Sequence, residues 1–72
     1  MSNEVLKIIG KNIRKTREDA NMTIKELAKR SGIKECSIKK IEEGEYYKLQ
    51  LSHLNLLADS MNILSKVLLI GV

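Results

Sequence analysis

Apolar residues at Leu6, Ile9, Ile13 and Ala20, with Thr16 and Arg17 filling the gap, recur at steps of three and four along one face. This spacing predicts an amphipathic helix from about Glu4 to Ala20. Ser2 or Asn3 can supply its N-cap oxygen, and Asn21 accepts the left-handed backbone that ends a helix. Gly10 lies inside the predicted helix at a cost of roughly 1 kcal/mol relative to Ala, which calls for a packing reason such as another backbone passing close by.

Thr23-Ile24-Lys25-Glu26 has the form of a capping box, in which the threonine hydroxyl and the glutamate carboxylate each accept a backbone N–H of the other residue. A helix is therefore expected over 24–30, stopped by Ser31-Gly32, because Gly32 suits the positive φ of a helix C-terminus. A second short helix follows, opened by Ile33 and running over about 34–43 through Ile38 and Ile41 to Gly44. Two short helices joined by a Gly-containing turn of three or four residues make a helix-turn-helix.

Residues 45–50 read as a loop, polar apart from Tyr46, Tyr47 and Leu49. Leu51, Leu54, Ala58 and Met61, with Leu57 beside them, then predict a fourth helix from about Leu51 to Met61, ended by Asn62. The tail from Ile63 to Val72 is apolar except for Ser65 and Lys66. Within it, Val67-Leu68-Leu69-Ile70 is compatible with either a last short helix or a strand. The expected fold class is all-α, a compact four- or five-helix domain spanning 1–72.

Composition narrows the means of stabilisation. With 72 residues the chain has room for one small core. The single cysteine Cys36 and single histidine His53 allow neither an internal disulfide nor a zinc site. Aliphatic packing must carry the fold, in keeping with 43% hydrophobic residues against 3% aromatic and no Pro, Phe or Trp. No cofactor or metal is expected. No stretch approaches the about 18 apolar residues of a membrane span, and the first residues lack a basic signal-peptide start, so a cytoplasmic protein is expected.

The formal charge of +4 is unevenly spread: residues 1–41 hold eleven Lys or Arg against five acids, whereas residues 42–72 are net negative. A basic front half fits a polyanionic partner, and equally a solvated lysine-rich surface. Enzyme chemistry lacks its parts. There is no Ser/His/acid set and no Gly-rich phosphate loop, and the adjacent Glu42 and Glu43 point in different directions on a helix.

Taken in order, several fragments resemble the lambda-repressor-like helix-turn-helix domains, the family that includes Cro-type (XRE-like) regulators and restriction-modification controller proteins. The likeness covers about Ile9 to Leu69. Ile9-Gly10-x-x-Ile13-Arg14-x-x-Arg17 is similar to the family's first helix. Thr23-x-x-Glu26-Leu27-Ala28, Ser31-Gly32-Ile33 and Ile38-x-x-Ile41-Glu42-x-Gly44 are similar to its helix-turn-helix, and Leu51-x-x-Leu54-x-x-Leu57-Ala58 to its fourth helix.

The resemblance implies a sequence-specific regulator, repressor or controller, that binds double-stranded DNA as a homodimer on a palindromic operator. It implies base-reading roles for Lys34, Glu35, Cys36, Ser37 and Lys40, and phosphate contacts from Thr23, Lys25, Tyr47 and Lys48, with Lys39 toward backbone or solvent. It pairs Arg17 with Glu42 in a structural bridge. It also has the core closed by Leu54, Leu57, Ala58, Met61 and Ile63, together with Leu68 and either Leu64 or Leu69. Val67, Leu69, Ile70 and Val72, in the segment 63–72, are then left for a dimer interface.

The chain departs from the family at Ile24, where Gln is common, at Lys34, where a small hydroxyl is common, and in a loop with no Asn-Pro and with Glu43 and Glu45. The alternative function is a protein-interaction module, an antitoxin-like or anti-repressor subunit. Cys36 reads as a small groove-facing side chain, and His53 as an exposed surface residue.

Overall fold

In a computed structural model that describes residues 2–72, Ser2 opens the first helix, its hydroxyl accepting the Val5 N–H at 3.2 Å. Helix α1 spans Asn3–Asp19 and buries Leu6, Ile9, Gly10, Ile13 and Arg17. Ala20 falls just beyond its end and is exposed, so it does not extend the apolar stripe as the spacing suggested. Asn21 takes φ 55° and turns the chain, which lets Met22 fold into the core.

Helix α2 is Ile24–Ser31, helix α3 Glu35–Glu42 and helix α4 Leu51–Ser60; the chain closes with a 3-10 helix at Ser65–Leu69. Among the described residues there is no strand, and no helix is long and apolar enough to cross a membrane. The expected all-helical fold is the observed one.

α3 starts two residues later than Ile33. Lys34 remains extended at ψ 144°, and the Ile33 N–H is held by the Ser31 hydroxyl at 3.1 Å, so both residues belong to the turn. Gly10 does have a packing reason. A Cβ there would stand 2.8 Å from the Glu42 carbonyl oxygen and closer still to that of Ile41, so α1 and the end of α3 meet backbone to backbone.

Periodicity alone misreads two leucines around α4. Leu51, in its first turn, is 63% exposed, whereas Leu49 in the preceding loop is buried in the core. Leu54, Leu57, Ala58 and Met61 are buried as expected, and Ile63 packs partly buried against them.

In the tail Leu68 is fully buried, Leu69 half-buried and Leu64 64% exposed, so Leu64 is not part of the core. Of the two conformations open to the tail, the short helix is the one formed, as the 3-10 helix Ser65–Leu69, and its end is held from α1. The Asn12 side-chain amide donates to the Leu68 carbonyl at 3.0 Å and to that of Ile70 at 2.7 Å, and Gly71 at φ 89° ends the segment.

Candidate nucleic-acid interface

The capping box at the start of α2 is formed: the Glu26 N–H donates to the Thr23 hydroxyl at 3.0 Å and the Thr23 N–H to the Glu26 carboxylate at 3.3 Å. The N–H groups of Ile24 and Lys25 lie in the same first turn, where no carbonyl of the helix can reach them. The side chains of Thr23 and Lys25 at this helix start are exposed, and Ile24 is half-buried. An anion meets favourable dipoles at such a helix start. At the other end of α2, Gly32 at φ 77° donates its N–H to the Ala28 carbonyl at 2.9 Å and sends the chain into α3.

Helix α3 buries Ile38 and Ile41 and turns the rest outward. Cys36 and Lys40, four residues apart, share the middle of the exposed face; Lys34 and Glu35 are exposed at its N-terminal end, and Ser37 is half-buried on one flank. Lys39 and Glu43 occupy the other flank, where they line a groove with Arg14, Ile24, Arg17 and Glu42. The expected base-reading residues are thus brought onto one accessible surface next to the start of α2. Arg14 also lines that groove and donates from Nε to the Glu18 carboxylate at 3.4 Å. Its helical spacing from Arg17 was the available signal, since a residue three positions before a buried arginine lies beside it on the helix.

Arg17 ties the end of α3 to α1. Its Nε and Nη2 donate to the two carboxylate oxygens of Glu42 at 2.7 and 3.1 Å, and its Nη1 donates to the Met22 carbonyl at 2.7 Å. The two side chains are only 11% and 6% exposed. The hydrogen bond to Glu42 lifts the Arg17 pKa above its ordinary value, against the opposite effect of burial, and the negative charges of Glu42 and Glu18 add to the rise. One side chain therefore ties α1 to the α1–α2 turn and to α3. Both carboxylate oxygens of Glu42 are thus occupied by Arg17.

Beyond α3, Gly44 at φ 75° lies on α1, where a Cβ would meet the Lys7 Cα at 2.8 Å. The loop that follows leaves Tyr47 and Lys48 exposed, buries Leu49 and half-buries Tyr46. His53 is not the free surface residue its isolation in the sequence suggested: it is half-buried and accepts the Gln50 N–H. At the C-terminal end of the chain Ile70 is 67% and Val72 59% exposed, with Val67 and Leu69 half-buried. Val67 lies between two hollows, one lined by Asn12, Thr16 and Ile70, the other by Asp59, Asn62, Ile63 and Leu64.

No curated protein matches the chain in sequence. Among solved structures it is similar to the restriction-modification controller protein C.AhdI from Aeromonas hydrophila. The two share 24% identity and a TM-score of 0.83, over 88% of this chain and 94% of that one, a likeness of fold. The family model described as Helix-turn-helix matches residues 13–67, from the middle of α1 to the closing 3-10 helix, and the chain belongs to the helix-turn-helix family.

Proposed function

We propose that the protein is a cytoplasmic transcriptional regulator, a repressor or controller, that binds double-stranded DNA as a homodimer and reads a palindromic operator through α3. The observation that carries this reading is the outward face of α3. Glu35, Cys36 and Lys40 lie on it with Ser37 at its edge and Lys34 just before it, on a helix braced by Arg17 and flanked by the start of α2. A helix in the major groove meets guanine O6 and N7, which accept from Lys34 or Lys40, and cytosine N4, which donates to Glu35. Thr23, Lys25, Lys39, Tyr47 and Lys48 then hold phosphates on either side of the groove. The likeness to a controller protein supports the same reading at the level of fold.

Two copies are proposed to join through Val67, Leu69, Ile70 and Val72. The exposed apolar area at the tail supports this, since a small domain gains from covering it. A two-fold pair would set the recognition helices roughly 34–36 Å apart, one turn of duplex.

The test begins with selection of bound sites from a random duplex library, followed by Lys40→Ala and Lys25→Ala on the selected site. Lys40→Ala is expected to relax preference at one base position, and Lys25→Ala to weaken all sequences alike and lower the salt slope by about one. Sedimentation of Ile70→Asp, whose side chain is outside the core, is expected to give a folded monomer with weaker binding to the palindrome. Duplex binding that is absent at low salt would refute the proposal and favour the protein-interaction module.

A further inference from the structure

The loop after α3 is closed by one imidazole. His53, in the first turn of α4, accepts the Gln50 backbone N–H on Nδ1 at 3.0 Å. The same ring stands perpendicular to Tyr46, with centroids 5.6 Å apart and planes at 89°. Tyr46 in turn packs against the core, and its backbone carbonyl accepts the Leu49 N–H at 3.2 Å. Both ends of the segment 46–50 are therefore fastened to one side chain, and its middle is fastened through the buried side chain of Leu49. What remains outside is Tyr47, 72% exposed, and the exposed Lys48.

The chemistry of the residue matters as well as its reach. An acceptor at this place in a helix usually comes from Glu or Gln reaching back to the N-cap N–H. The loop already carries Glu43 and Glu45. A neutral imidazole that accepts on Nδ1 and keeps its proton on Nε2 satisfies the same N–H without adding a carboxylate to a surface proposed to face phosphates. Its planar ring also gives Tyr46 an edge-to-face partner, which a glutamine does not.

We infer that His53 is a positioning residue for phosphate binding, which acts by holding the 46–50 loop so that Tyr47 and Lys48 meet the DNA backbone without first being ordered. The inference rests on the proposed DNA-binding reading. A loop fixed before binding avoids the entropic cost of ordering backbone and side chains in the complex. Removing the tether therefore shows in affinity and in the count of phosphates neutralised.

The test uses the full chain and a short random-sequence duplex, because phosphate contacts act on any sequence. His53→Ala is expected to weaken binding by about tenfold and to lower the salt slope by about one, the share of Lys48. In a Lys48→Ala background, His53→Ala is expected to leave the slope unchanged. His53→Gln, which restores the acceptor, is expected to recover most of the slope, and Tyr46→Leu to lose part of it. A change in fold stability alone moves none of these slopes, and thermal midpoints from circular dichroism identify any variant that does not fold. Should His53→Ala not fold, His53→Gln and Tyr46→Leu carry the comparison. A folded His53→Ala protein with wild-type affinity and slope overturns the inference and leaves the DNA reading standing, as does a slope loss that persists in full without Lys48. Failure of the wild-type protein to bind duplex removes the DNA reading and this inference with it.

Discussion

Glu42→Ala is the substitution with the largest expected effect for the smallest change. It removes both acceptors of the Arg17 Nε and Nη2 hydrogen bonds and leaves only the Met22 carbonyl for a guanidinium whose side chain is 11% exposed. Removing one partner of a buried pair costs about 3–5 kcal/mol, because a charge is left uncompensated. The remaining solvent access and the surviving Met22 bond place the expected loss at the lower end, about 3 kcal/mol. A chain of this length has a total stability of about 4–11 kcal/mol, so the loss removes a large part of it. In a small domain the thermal midpoint should fall by about 12–24 °C.

The assay is thermal and urea unfolding of the wild type, Glu42→Ala, Glu42→Leu, Arg17→Met and the double variant Arg17→Met with Glu42→Leu, the last three closing a cycle with the wild type. The double variant should recover most of the loss, since an apolar pair of similar volume often matches a buried bridge. The pH dependence has a definite sign. The folded-state pKa of Arg17 is raised, so its stabilisation is complete below the unfolded-state value and is lost only as pH rises through the folded-state value. The arginine contribution to the wild-type advantage over Glu42→Ala should therefore be flat between about pH 7 and 9. A midpoint for Glu42→Ala equal to the wild type, with no coupling in the cycle, would refute the account of the bridge.

Gly10→Ala should be poorly tolerated although alanine favours helix, because the new methyl meets carbonyl oxygens of Ile41 and Glu42 that belong to backbone and cannot rotate away. A loss of about 1–3 kcal/mol or more in urea unfolding is expected, against a gain if the site were open. Asn12→Ala removes the donor to the Leu68 and Ile70 carbonyls and should cost about 1–2 kcal/mol. Its signature is local: hydrogen exchange should quicken at the Val67 to Val72 amides while the amides of α1 keep their protection.

Much of the helix-turn-helix is legible because its signals are local. The Thr23/Glu26 capping box and Gly32 are separated from the structure they specify by three residues or fewer, so α2 and its turn follow from chemistry visible in the chain. Periodicity serves well in the middle of a helix and poorly at its ends. Ala20 and Leu51 both fit a three-four pattern, yet the first falls past the end of α1 and the second is exposed in the first turn of α4. An isolated leucine in a polar loop carries no period, which is why Leu49 gives no sign of its burial. The tail is illegible for a different reason. Its end is fastened to Asn12, more than fifty positions away, and no window along the chain joins the two. The exposed face of α3 is legible in which side chains it presents, whereas His53 gains its role only when the fold puts Tyr46 against it.

The three bonds of Arg17 also constrain how this chain can diverge. A descendant that loses the glutamate keeps a nearly buried cation, and one that loses the arginine keeps a nearly buried anion, so each single step passes through a weakened intermediate. A third contact, to the Met22 carbonyl, sets the approach to α2 and does not depend on which side chain occupies position 22. Selection can therefore rewrite the outward residues of α3 one at a time while positions 17 and 42 change only as a pair. The outward face of α3 is open to single changes that the pair behind it resists.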